Sequence, residues 1–297
     1  MEQERTYGPG ELERLRKTEM EIYREFARVC DAHGLRFCGT FGTALGAVRH
    51  GGYIPWDDDM DISMPRADYE RLIELARGGV FSAPYELLEP RFTDGYVLNF
   101  AKLTRADSTF VEATDTDRTY HSGIFIDIFP LDTVPRQKRR RYRVYRRAFV
   151  LAKLLVLTEY GRPKLPKGLH PAVRAVLRAA FLAAHGLLRL TGQTSRKMYG
   201  RYLAAAQSCA DEDTGVLADL IMYRQESNHW LPDPVYPEKM LFPARDTAFE
   251  DALMRVPAAP RAYLARTFGD TWNQLPPEED RHTHAPAVLV FPPEETA

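Results

Sequence analysis

Cysteine is scarce in this 297-residue chain. Only Cys30, Cys38 and Cys209 occur. The number is odd and no Cys-x-x-Cys is present, so neither a disulfide framework nor a cysteine zinc site is indicated. Long apolar runs are missing too. The most apolar stretches, 149–157 and 179–188, are interrupted or bounded by Lys153, Arg178 and Arg189. Both fall short of the ~20 residues that cross a bilayer. Residues 1–14 are polar and charged, unlike a secretory leader. Net charge is only −1, so no overall field draws the chain to nucleic acid. Internal repeats and low-complexity tracts are absent. The expectation is a soluble, cytoplasmic protein.

What is present is ordinary globular composition, 44% hydrophobic and 27% charged, enough for a sizeable core. Charge is unevenly spread. Between 133 and 210 stand 18 Lys and Arg against one acid, Glu159. An acidic half beside a basic half suggests an active site and a docking surface, although a solvated helical face carries the same charges.

Leu12, Leu15, Ile22, Phe26 and Val29 recur at helical spacing before Gly34, which predicts a helix over 11–33. A short strand at 35–38, a glycine turn at Gly39 and Gly42, and one or two helical turns at 43–49 follow. Further helices are expected at 66–77, 136–160, 171–191, 195–210 and 263–268. Strands are expected at 57–64, 85–88, 97–103, 108–112 and 123–131. The Pro-rich 232–243 and 257–260 read as loops, and the tail beyond Ala285 as loose. Strands interleaved with helices indicate α+β (or α/β): a mixed sheet flanked by helices, with a helical insertion. The expected division is a catalytic core at 1–132, a basic helical segment at 133–215 and a closing segment at 216–297.

The chemistry lies in Pro55-Trp56-Asp57-Asp58-Asp59-Met60-Asp61. Asp57, Asp59 and Asp61 alternate with Asp58, Met60 and Ile62, so three carboxylates share one strand face at ~6.6 Å intervals. Unpaired, they repel, and Asp is disfavoured in strands. A divalent cation relieves the repulsion, and Mg²⁺ prefers a few carboxylates plus phosphate oxygens. A Ca²⁺ loop of the EF-hand type fails, because Ile62 and Asp68 stand where Gly and Glu are required. Gly42 and Thr43 open a helix just upstream, a place that receives phosphate. Arg49, followed by His50, could clamp a phosphate, or pair with an aspartate instead. Asp127 lies alone in the apolar run 124–129, where a charge is costly unless paired or metal-bound. Asp132 reads as a turn residue. Lys102 could meet phosphate charge or be plain surface.

These residues resemble the LicD family, whose relatives include fukutin and fukutin-related protein. The likeness is carried by Gly42-Thr43-Ala44-Leu45-Gly46-Ala47-Val48-Arg49-His50, by Ile54 through Asp61 and Asp68-Tyr69, and by Ile126-Asp127-Ile128-Phe129-Pro130-Leu131-Asp132. A further block runs from Tyr263-Leu264 through Phe268-Gly269-Asp270 and Leu275-Pro276-Pro277 to Arg281 and His284. The resemblance implies a nucleotidyltransferase fold and transfer of phosphocholine, or another phospho-alcohol such as phosphoribitol, from a CDP-linked donor to a cell-surface glycan or its lipid-linked precursor. Carried over, Asp59, Asp61 and Asp127 are the catalytic and metal-binding residues, for Mg²⁺ or Mn²⁺ and two ions. Asp57 and Asp59 fit the usual spacing from Gly-Thr better; the apolar flanks Met60 and Ile62 favour Asp59 and Asp61. Gly42, Thr43, Arg49, Lys102, Arg281 and His284 become substrate- or nucleotide-binding candidates, with His282 beside them.

Two other readings stay open. One is a nucleotidyltransferase that adds NMP to a small molecule; the other is a non-catalytic glycan- or nucleic-acid-binding module. The basic 136–160 predicts peripheral contact with the inner face of the membrane. No nucleic-acid partner is expected.

Overall fold

A computed structural model describes residues 5–112, 118–163, 165, 168–221, 235–281 and 283–293. The fold is α+β. Helix α1 (Glu11–His33) ends at Gly34 in the left-handed conformation. Strand β1 (Cys38–Gly39) leads directly into α2 (Phe41–Arg49). After the aspartate segment come β2 (Asp61–Pro65), α3 (Arg66–Arg77), β3 (Tyr85–Leu88), β4 (Ala101–Arg105), β5 (Thr109–Val111) and β6 (Phe125–Thr133). Three helices follow: α4 (Lys138–Glu159), α5 (Pro171–Leu190) and α6 (Ser195–Ala206). The chain closes with β7 (Val216–Ala218), β8 (Val235–Pro237), α7 (Glu238–Leu241), β9 (Arg245–Phe249), β10 (Ala252–Val256), α8 (Pro260–Phe268), a 3₁₀ turn at Glu278–Asp280 and β11 (Val288–Val290).

The main sheet runs β1-β2-β6-β4-β3, with β7 and β8 extending from the far end of β6. Its centre is parallel, β2 beside β6, and its other pairings are antiparallel. β6 is apolar because it is central: Ile126 and Ile128 are fully buried, as a strand covered on both faces must be. The apolar stripe of α1 (Leu15, Ile22, Phe26, Val29) packs with β2, β4 and β6 into the main core. That core also takes Phe249, Met254 and Val256 from the β9–β10 hairpin. A second core joins Tyr145, Ala148 and Leu155 of α4 to Met198, Tyr199 and Tyr202 of α6. A third joins Ala44 and Leu45 of α2 to Leu241, Tyr263 and Leu264.

The structure departs from the sequence reading in several places. The strand expected at 57–64 begins only at Asp61, because β1 is two residues long and pairs only with Ile62 and Ser63. Upstream, the Arg16 guanidinium takes the Ile54 and Asp57 carbonyls, as close as 2.7 Å, and holds the segment as a loop. Asp132 lies within β6, not in a turn. It is 1% exposed and forms a bidentate ion pair with buried Arg66, at 2.7 and 2.8 Å. The tail expected to be loose beyond Ala285 carries a strand, β11, which pairs antiparallel to β5. Part of the Pro-rich stretch is ordered as β8 and α7; residues 232–234 lie outside the described residues. The β9–β10 hairpin and β7 had no counterpart in the sequence reading.

Candidate active site

The aspartate loop and β2 lie between the N-terminal turn of α2 and the centre of β6. Two hydroxyls fix this junction. Thr43 Oγ1 accepts from the Asp61 backbone N–H at 2.8 Å, and Thr40 Oγ1 lies 2.8 Å from Ser63 Oγ in a buried contact. Phe41, the first residue of α2, has φ +45°, a conformation that L side chains seldom adopt. Its N–H donates to the Tyr263 hydroxyl at 3.1 Å, and its ring meets Phe129 edge-on. Gly42 lets Asp57 come close: a Cβ there would lie 2.5 Å from Asp57 Oδ2. The Asp57 carboxylate therefore faces the positive end of α2.

Asp61 and Asp127 stand opposite one another in the parallel β2–β6 register. On the other side of β6, Lys102 is in register with Asp127. Its ammonium lies 3.2 Å from Asp127 Oδ1, 3.2 Å from Glu112 Oε1 and 3.2 Å from the centre of the Phe125 ring. Lys102 is only 5% exposed, so it is buried beside Asp127 and is not plain surface. Despite that proximity, Asp127 Oδ1 is buried without an aligned hydrogen-bond donor. The ammonium compensates its charge but leaves a lone pair over.

The electrostatics follow from crowding. Burial, reinforced by Asp57 and Asp58, pushes the Asp59 carboxyl up to about 7. Burial and Asp58 push Asp57 up to about 6. Asp61 is raised well above the carboxylate range by burial, then by Asp59 and Asp127. Burial lifts Asp127 to about 6 while Lys102 pulls it down. Four carboxyls that resist ionisation together form a site awaiting positive charge. The donors are all hard oxygens, the ligand type that a divalent cation of the Mg²⁺ kind takes. Among the described residues, no three such side chains are already closed around a common point.

Two carboxylates missed in the sequence support the site without belonging to the alternating face. Asp58 is 5% exposed and accepts from the Tyr7 hydroxyl at 2.8 Å and from the His284 backbone N–H at 2.9 Å. It latches both ends of the chain beneath the loop. Glu19 of α1 is 2% exposed with Oε2 unpartnered. Burial, and then the field of Asp59, Asp58 and Asp57, raises its carboxyl well above normal despite the nearby Tyr53 hydroxyl. Its signal was legible: Glu19 occupies a stripe position, four residues after Leu15 and three before Ile22.

The remaining candidates separate. Arg281 stacks on Trp56, 4.9 Å from the ring centre, and donates to the Pro276 carbonyl. The His284 ring is exposed and lies 3.9 Å from Asp58 Oδ1. Both come near the aspartate loop. His282 lies outside the described residues. Arg49 sits at the other end of α2. It donates to the Trp272 and Gln274 carbonyls at 3.1 Å and pairs with none of the aspartates among the described contacts. With Val48, Arg261, Trp272 and Asn273 it lines a shallow cavity.

The Gly42-Thr43 turn of α2 thus packs on β2, with Asp127 on the adjacent parallel strand β6. Residues 34–154 match the family model described as LicD/FKTN/FKRP, nucleotidyltransferase domain. A 124-residue stretch is 27% identical to the lipopolysaccharide cholinephosphotransferase LicD of Haemophilus influenzae, covering 41% of this chain and 45% of that protein. The matched region thus spans less than half of the relative's length.

Proposed function

We propose that this protein transfers a phospho-alcohol, phosphocholine first, from a CDP-activated donor to a hydroxyl of a cell-surface glycan or its lipid-linked precursor. The observation that carries the proposal is the facing of Asp61 and Asp127 on adjacent parallel strands, with Asp59 just before. The relative's activity on lipopolysaccharide supports phosphocholine and a lipid-anchored acceptor.

Asp59, Asp61 and Asp127 would hold Mg²⁺ or Mn²⁺, which when bound neutralises phosphate charge and acidifies the acceptor hydroxyl. Asp127, with its carboxyl near 6, is poised to take the hydroxyl proton at Oδ1. Lys102, shared between Asp127 and Glu112, holds that carboxylate in place and sets a positive charge beside the reacting phosphate. Arg281 and the exposed His284 ring flank the loop and bind donor phosphate or acceptor. Gly42 and Thr43 fix the α2–β2 junction, so their part is positioning. The acceptor oxygen forms the new P–O bond, the donor's pyrophosphate bond breaks, and CMP leaves.

The test is product identity. Incubation with a panel of CDP-alcohols, Mg²⁺ and a glycan acceptor should release CMP. Pyrophosphate released from a nucleoside triphosphate instead would favour NMP addition to a small molecule.

A further inference from the structure

The basic region carries an apolar surface that the catalytic reading does not use. Helix α5 (Pro171–Leu190) has no buried residue. Its half-buried side is Leu177, Phe181, Ala184 and Leu188, of which Leu188 packs on the second core. There, His185 Nδ1 lies 2.7 Å from the Leu157 carbonyl of α4. On another side Val173, Val176, Ala180, Ala183, Leu187 and Leu190 recur at alternating spacings of three and four, all exposed. That spacing forms one continuous stripe. Leu187 is 62% exposed and Leu190 88%. Four of the twelve large apolar side chains exposed among the described residues lie on this stripe, and a fifth, Leu182, lies elsewhere on the same helix, so the stripe is a concentrated patch and not scatter.

We infer that α5 docks this protein onto an anionic lipid surface, lying in the plane of the interface with its apolar stripe in the acyl boundary. Charge selects the occupant. Residues 160–210 hold nine Lys and Arg and no Asp or Glu. Arg178 and Arg189 are exposed on α5, and Arg201 on α6. A second copy of the chain would bring the same positive charge to the contact and be repelled. Crossing the bilayer is disfavoured because Arg174, Arg178, His185 and Arg189 form a polar edge along the whole helix. A helix with one apolar face and one cationic edge lies on a membrane. The docking element is accordingly α5, whereas the sequence pointed to 136–160. Within α4, Tyr145, Ala148, Leu155 and Leu157 are buried, and Arg140 pairs with Glu212 at 2.7 Å. The inference is independent of the catalytic reading.

Cosedimentation of the full chain with vesicles tests it. The vesicles are phosphatidylcholine alone, or phosphatidylcholine mixed with phosphatidylglycerol. The wild type should bind the anionic vesicles, and roughly tenfold more weakly the neutral ones, with salt abolishing the preference. Val176→Glu/Leu187→Glu should lose about tenfold or more on anionic vesicles. Arg178→Gln/Arg189→Gln should lose roughly fivefold per cation. All four positions are exposed or nearly so, so melting curves should stay unchanged, and retained CMP release would separate this loss from a catalytic one. The inference is overturned if the wild type binds neither vesicle, if the Glu variant binds like the wild type, or if that variant merely converts a dimer to a monomer.

Discussion

Asp61 and Asp127 occupy the same rung of the sheet, one on β2 and one on the parallel neighbour β6. Two carboxylates so placed repel unless one keeps its proton or positive charge lies near. Lys102 supplies such charge to Asp127, and the proposed divalent cation would supply more. Asp59→Asn, Asp61→Asn and Asp127→Asn should each lower kcat by two or more orders of magnitude, about 3 kcal/mol of transition-state stabilisation, with circular dichroism unchanged. Mild losses at all three would move the chemistry elsewhere.

The raised carboxyls also set a pH dependence. The Asp59 carboxyl, near 7 when folded against about 4 unfolded, keeps its proton longer in the folded state. Without divalent cation, its contribution to stability is therefore fully present below about pH 4 and is lost as pH rises through 7. Asp59→Asn removes that loss. Its melting temperature should match the wild type at pH 4 and exceed it at pH 8 when chelator is present. A constant difference across this range would contradict the assigned environment.

Asp58 has a different part to play. It holds Tyr7 and the His284 backbone, so Asp58→Ala should act mainly on stability. Leaving these donors unpaired costs on the order of 1–3 kcal/mol. A kcat loss as large as that of Asp59→Asn, with no drop in melting temperature, would place Asp58 in the chemistry instead.

The C-terminal segment is expected to matter for turnover. It carries Arg281 onto Trp56 and His284 to Asp58, and β11 anchors it on β5. Deleting 280–297 should lower kcat/KM at least about tenfold, one lost charge-assisted contact being worth roughly 1.5–3 kcal/mol. An unchanged kcat/KM in the deleted protein would show that the segment only covers the loop.

Much of this was readable in the chain, for reasons specific to each element. α1, α3 and β3 fall where periodicity put them, because their apolar spacing is unbroken and Gly34 and Gly78 stop the two helices. The alternation of Asp58, Met60 and Ile62 into the interior holds even though the strand starts late. What escaped were features made by distant partners. β7, the β9–β10 hairpin and β11 are short and lack a strong period of their own; they are strands because β6, the main core and β5 receive them. Asp132 looked like a turn residue because the guanidinium that pairs with it comes from residue 66. The Trp272 and Gln274 carbonyls that Arg49 meets were equally illegible, because they come from a distant part of the chain.

The most direct test of the central claim is CMP formation from CDP-choline by purified protein in Mg²⁺, measured beside Asp61→Asn and again after chelation. The account predicts acceptor-dependent CMP release by the wild type. That release should stop on chelation, return on adding Mg²⁺ or Mn²⁺, and be absent in Asp61→Asn. CMP release that persists in excess chelator, or in Asp61→Asn at the wild-type rate, would contradict it.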